Sequence, residues 1–235
     1  HDVRVILPKY AAIPEKYESQ MRHAVDFEVQ LGWRRQYCGI EELVQDGVVF
    51  YFVDNRYYFG RNYIYGMGGD EYERYAFFCR AALNFLPLVG FEPDLIHAHD
   101  WQAGLAPAYL AYHGTGGCAS VITVHNIAFQ GHAPARLLGE LRLPVAQFHS
   151  DALEYYGGLS ALKAGLITAD RITTVSPNYA AELMRPEFGL GLQGVLAARS
   201  AVVSGIVNGI DTGVWSPEAE PEHAYSVQSM GGKAQ

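Results

Sequence analysis

The chain has 235 residues, 49% of them hydrophobic and 18% charged, with a formal net charge of −8. That length suits one large α/β domain or two small ones, and the composition is that of a chain that buries a core rather than a disordered one. The negative balance and the lack of any Lys/Arg block exclude nucleic acid or an anionic membrane as the main partner, because phosphate surfaces are held by clustered cations. A small phosphorylated ligand needs only a few local donors and stays open. Cys38, Cys79 and Cys118 are far apart and lack CxxC spacing, so they read as reduced thiols of an intracellular protein. No apolar run reaches the roughly 18 residues that a membrane span needs, and no segment reads as a signal or transit peptide.

In chain order, residues 1–60 carry strand signals: Val3–Leu7, the alternating Phe27–Leu31, and Val48–Val53 after the turn pair Asp46-Gly47. They predict one core strand plus a hairpin-like excursion. Residues 55–70 hold aromatics and glycines without periodicity and read as a loop. From residue 71 the pattern becomes strand–helix–strand. Tyr72, Tyr75, Ala76, Cys79 and Leu83 predict a helix over 71–85 that Pro87 stops. Residues 93–99 read as a strand, 101–113 as a helix with Asp100 as N-cap, and 119–124 as a strand apolar on both faces. A helix over 159–168 and a strand over 171–175 follow. Ser176-Pro177 opens a further helix, and a last strand at 201–207 runs into Asn208-Gly209-Ile210-Asp211. Alternating strands and helices imply right-handed crossovers and a Rossmann-like, doubly wound parallel sheet.

In an open parallel sheet, ligands sit outside the carboxyl ends of the strands. Polar residues gather at those ends: His97-Ala98-His99-Asp100-Trp101, then Thr123-Val124-His125-Asn126, then Ser176, then Asn208 to Asp211. Each has a plain structural alternative. Asp100 reads equally as a helix cap, His97, His99 and His125 as hydrogen-bonded core histidines, and Asn208-Gly209 as a turn. The two histidines and Asp100 also match part of a metal-ligand pattern, which Trp101 interrupts. No P-loop or GxGxxG opens a helix after a strand, which speaks against a nucleoside triphosphatase or a simple dehydrogenase.

Taken together, several strings resemble one family. His97-Ala98-His99-Asp100-Trp101-Gln102-Ala103-Gly104-Leu105-Ala106-Pro107 and Thr123-Val124-His125-Asn126-Ile127-Ala128-Phe129-Gln130-Gly131 are similar to signatures of bacterial glycogen synthases and plant starch synthases. Leu162-Lys163-Ala164-Gly165-Leu166, Thr174-Val175-Ser176-Pro177 and Gly205-Ile206-Val207-Asn208-Gly209-Ile210-Asp211 with Trp215-Ser216-Pro217 continue the likeness in order.

The resemblance implies the N-terminal half of a GT-B fold: an acceptor-side domain over residues 1–220 and, from 221, the start of a linker to a C-terminal domain absent here. It implies transfer of glucose from ADP-glucose to the nonreducing 4-OH of an α-1,4-glucan with retention, without metal or other cofactor, in the bacterial cytoplasm, with a plastid also open. The partners it implies are the nucleotide sugar, the glucan and that second domain. Asp100 and His125 would be catalytic, and Asn126, Gln130, Gly131 and Asn208 would bind substrate. The sequence departs from the pattern in lacking the Lys-x-Gly-Gly-Leu loop and the first, central strand before it, which would leave a gap or an exposed edge in the sheet. Lys163 is the only cation within the motifs. Two other readings are a different GT-B glycosyltransferase, such as a sucrose synthase or α-glucan phosphorylase relative, and a noncatalytic glucan-binding module using Trp33, Tyr57, Tyr58, Tyr63 and Tyr65.

Overall fold

In the computed structural model, which describes residues 1–66, 69–114 and 117–216, the chain carries two four-stranded sheets and one three-stranded sheet. The linker expected from residue 221 lies outside the described residues.

The N-terminal part is more regular than the sequence suggests. Strand β1 (Arg4–Pro8) leads through a helical turn, α1 (Glu15–Glu18), to a long hairpin of β2 (Arg22–Leu31) and β3 (Arg34–Gln45), and then to β4 (Val48–Asp54). The order is β1-β4-β3-β2, with β1 parallel to β4 and the other pairs antiparallel. Asp46 and Gly47, at φ 51° and 79°, form the predicted tight turn between β3 and β4. β3 escaped the sequence reading because its Arg, Gln and Glu residues break any apolar run.

Residues 55–70 are not wholly irregular: α2 (Arg56–Phe59) is N-capped by Asn55, whose side chain accepts from the Tyr58 N–H. α3 (Glu71–Asn84) follows as predicted and packs on this sheet. Phe59 lies fully buried among Tyr10, Tyr58, Phe77 and Phe78.

The second sheet is wholly parallel, in the order β11-β10-β6-β5. Its strands are β5 (Leu95–His99), β6 (Ala119–Val124), β10 (Arg171–Thr174) and β11 (Val203–Gly205). Between β5 and β6 the chain forms α4 (Asp100–Ala103) and α5 (Leu105–His113). After β6 come a small sheet of β7 (His132–Pro134), β8 (Glu154–Tyr155) and β9 (Gly158–Ser160), then α6 (Ala161–Thr168). α7 (Pro177–Leu183) and α8 (Gln193–Ala198) link β10 to β11. Ser176 accepts from the Tyr179 N–H, as an N-cap before Pro177 should. Ala98, Ile122, Val124 and Ile172 bury one face of this sheet against Leu162, Leu166, Leu183, Leu192 and Leu196.

The α/β class is as expected, but the single sheet is divided. β1 ends one sheet and β5 the other, each paired on one side only, with Val3, Leu7 and Leu95 exposed beside the open edges. No helix among the described residues is long and apolar enough to cross a membrane.

Removing the Phe59 ring leaves a cavity that its rigid aromatic neighbours cannot fill. Phe59→Ala should cost about 3–5 kcal/mol, read as a lowered urea midpoint with unchanged slope.

Candidate functional site

The four parallel strands point their carboxyl ends to one rim, so His99, Val124, Thr174 and Gly205 stand at the same side of the sheet. Asp100 leaves β5 at φ 54°, a left-handed conformation that an L-residue adopts only at a cost.

The N-cap reading of Asp100 is corrected here. Its side chain caps no helix of its own; Oδ1 accepts from the backbone N–H of His125 at 2.8 Å and of Asn126 at 3.4 Å. The predicted helix over 101–113 is instead two pieces, broken at Gly104. Oδ2 of Asp100 has no partner among the described residues, so one carboxylate oxygen is structural and the other is available.

The histidines form a chain beside this carboxylate. His97 and His99 stack at 4.3 Å, and His99 Nδ1 lies 3.0 Å from His125 Nε2. His97 Nε2 lies 2.7 Å from Thr123 Oγ1, which is itself 2.6 Å from Thr173 Oγ1. Desolvation, reinforced by the neighbouring imidazoles, holds His97 and His99 below the ordinary histidine value of 6.5. Both are therefore neutral near pH 7, with one ring nitrogen donating and one accepting. Among the described residues no group of three or more His, Cys, Asp or Glu is placed to hold a metal ion.

The other expected site residues divide. Asn126 sits in the same turn and accepts, through Oδ1, the N–H of Ala128. Gln130 is buried, and its Nε2 donates to the carbonyls of Ile127 and Leu190 rather than toward Asp100. Gly131 makes room for Trp101: a Cβ there would lie 2.3 Å from the indole. Asn208 is exposed at the same rim beyond β11, but makes no hydrogen bond among the described residues. Three strand spacings, about 14 Å, separate its strand from β5.

Lys163 is buried under the loop before β8 and donates to the carbonyls of Ser150 and Glu154. Of the aromatics considered for glucan stacking, Tyr58 belongs to the core, whereas Trp33, Tyr57, Tyr63 and Tyr65 are exposed. The Asp100–His125 contact was missed by sequence reasoning, because no spacing rule signals a carboxylate that bonds the backbone of the next strand.

The family profile described as starch synthase catalytic domain matches residues 1–198. The chain belongs to that family. It is 52% identical to a glycogen synthase of Cereibacter sphaeroides over all of this chain and 50% of that protein. It is 43% identical to a glycogen synthase of Anoxybacillus flavithermus over 99% of this chain and 50% of that protein. The solved catalytic domain of starch synthase IV from Arabidopsis thaliana, bound to ADP and acarbose, superposes with a TM-score of 0.82 at 30% identity, over 99% of this chain and 50% of that one. The chain thus spans about half the length of the curated relatives it matches.

Two outcomes follow for the starch synthase domain. Asn tolerates left-handed backbone and keeps an acceptor oxygen, so Asp100→Asn should stay within about 1 kcal/mol of wild type, whereas Asp100→Ala loses the bond to the exposed His125 N–H and puts Ala at positive φ, and should cost about 1–2 kcal/mol in thermal or urea unfolding. The depressed folded-state values of His97 and His99 mean that the unfolded chain takes up protons first. Stability should be full above about pH 6.5 and fall as pH drops toward those lower values, and the double change His97→Gln/His99→Gln should flatten the fall in urea midpoints between about pH 7.5 and 5.5.

Proposed function

We propose that this chain is the acceptor-side half of a glucosyltransferase that moves glucose from ADP-glucose to the nonreducing 4-OH of an α-1,4-glucan with retention. In this reading residues 1–220 form one domain and the segment from 221 begins the linker to a second, nucleotide-holding domain. The observation that carries it is the rim itself: Asp100 is bound to the backbone of the His125–Asn126 turn, with one carboxylate oxygen left to face a ligand.

Retaining transfer builds positive charge on the sugar ring and negative charge on the departing phosphate. The free oxygen of Asp100 offsets the ring charge, and its fixed position spares reorganisation during reaction. His125 and Asn126 orient sugar hydroxyls, since imidazole and amide nitrogens and the amide oxygen lie where hydroxyls can bond to them. Asn208 reaches the transferred sugar from the far end of the rim, and Gln130 and Gly131 hold the loop that shapes its wall. ADP and acarbose, a nucleotide and an oligosaccharide, bound to the Arabidopsis relative support both ligand classes for this chain. The high identity to bacterial glycogen synthases supports a bacterial cytoplasmic enzyme.

Two activity measurements test the reading. The isolated chain should show little or no glucosyl transfer from ADP-glucose, because its motifs carry no cation free to meet the leaving phosphate. In the full-length enzyme Asp100→Asn should lower kcat about 100-fold or more while the fold persists. Turnover by the isolated chain near that of the full-length enzyme, or wild-type kcat in Asp100→Asn, would refute it.

A further inference from the structure

Asp100 fixes the backbone of the His125–Asn126 turn, but a backbone bond leaves the imidazole of His125 free to rotate. The last torsion of a histidine is broad, so the ring takes one orientation only where a neighbour holds it. Among the described residues the His125 side chain has a single hydrogen-bond partner: its Nε2 lies 3.0 Å from Nδ1 of His99. Its Nδ1 has none among them, and is the nitrogen left for a ligand.

His99 is itself held in place. Its ring stacks on His97 with centroids 4.3 Å apart and planes at 30°, and lies 5.3 Å from the His125 ring at 33°. His97 is anchored in turn through Nε2 to Thr123 Oγ1, and that hydroxyl is bound to Thr173 Oγ1. Thr123 is the register partner of both His99 and Thr173, so these side chains stand on one face of the parallel sheet, opposite Ala98 and Ile122. Three strands thus back one ring. Packing does not account for His99, since it and His125 are exposed and belong to neither hydrophobic cluster. Desolvation, with the neighbouring imidazoles, keeps His99 neutral near pH 7, so it meets His125 without adding a charge.

We propose that His99 is a positioning residue, whose Nδ1 holds the His125 ring so that the other nitrogen of that ring meets the sugar being transferred. The proposal rests on the glucosyltransferase reading, in which His125 orients a sugar hydroxyl.

The test uses the full-length enzyme. His99→Leu removes the bond, whereas His99→Asn keeps an amide near the place of Nδ1, and at an exposed strand end both should melt near wild type. His99→Leu should lower kcat for glucosyl transfer from ADP-glucose about tenfold or more, with KM changed less than about twofold, and His99→Asn should recover most of that loss. In a His125→Ala background His99→Leu should cost little more, because a residue that acts through His125 then has nothing to position. Wild-type kcat in folded His99→Leu overturns the role. So does an Asn variant no better than Leu, or a full further loss in the His125→Ala background, either of which marks a general effect on the fold. None of these outcomes touches the transfer reading, which fails instead if the wild-type full-length enzyme does not turn over ADP-glucose.

Discussion

At the end of β5 the backbone turns through a left-handed conformation at Asp100, and that turn carries a carboxylate across to the amides of His125 and Asn126 after β6. Two adjacent strand ends are thereby locked by one oxygen. The His99–His125 contact bridges the same two strand ends, His97 and His99 stack on one face of β5, and α4 starts at Asp100. A strained residue at a strand end persists only where its surroundings over-determine it, and such residues cluster at working sites. Here the local cost and the placement of the second carboxylate oxygen are the same geometric fact.

Glycines hold the elements behind the rim close enough for that lock to form. A Cβ on Gly104 would lie 2.4 Å from the carbonyl oxygen of Ala161, and one on Gly165 would lie 2.7 Å from that of Gly104. The two glycines of separate sequence strings therefore meet where α6 crosses the α4–α5 break. Gly131 does the same for Trp101, whose indole packs edge-on against Tyr75 of α3 at 4.9 Å and so ties the parallel sheet to the N-terminal one. Parts of the motifs that invite a catalytic reading are thus packing surfaces.

This division explains what the sequence made legible. The parallel strands, α3 and the Ser176-Pro177 helix start were readable because apolar periodicity and caps are local signals. Polar residues at four strand ends identified the rim for the same reason. β3 was not readable, since its charged residues pair across a hairpin that only the partner strand reveals, and α8 was not, since it spans six residues. The role of Asp100 was hidden differently: capping and cross-strand bonding use the same carboxylate chemistry, and only the sign of φ separates them. Gln130 and Gly131 were found as part of a string, yet their neighbours in space, Leu190 and Trp101, lie 60 and 30 residues away in sequence.

Charge decides what the rim can and cannot do alone. Lys163 is spent on two carbonyls and Lys9 on Asp54 and Glu18. Arg74 is buried, paired with Glu71 and enclosed by aromatic rings, and Arg61 is bound to Asp70. The imidazoles of His97 and His99 are held neutral by desolvation. What faces outward at the end of β5 is the Asp100 Oδ2, with none of these four cations beside it, in a chain of net charge −8. Such a surface favours developing positive charge and hydroxyl-rich ligands and repels a phosphate. The proposed transfer, which separates charge between a sugar ring and a phosphate, therefore needs a second surface of opposite character to meet the phosphate.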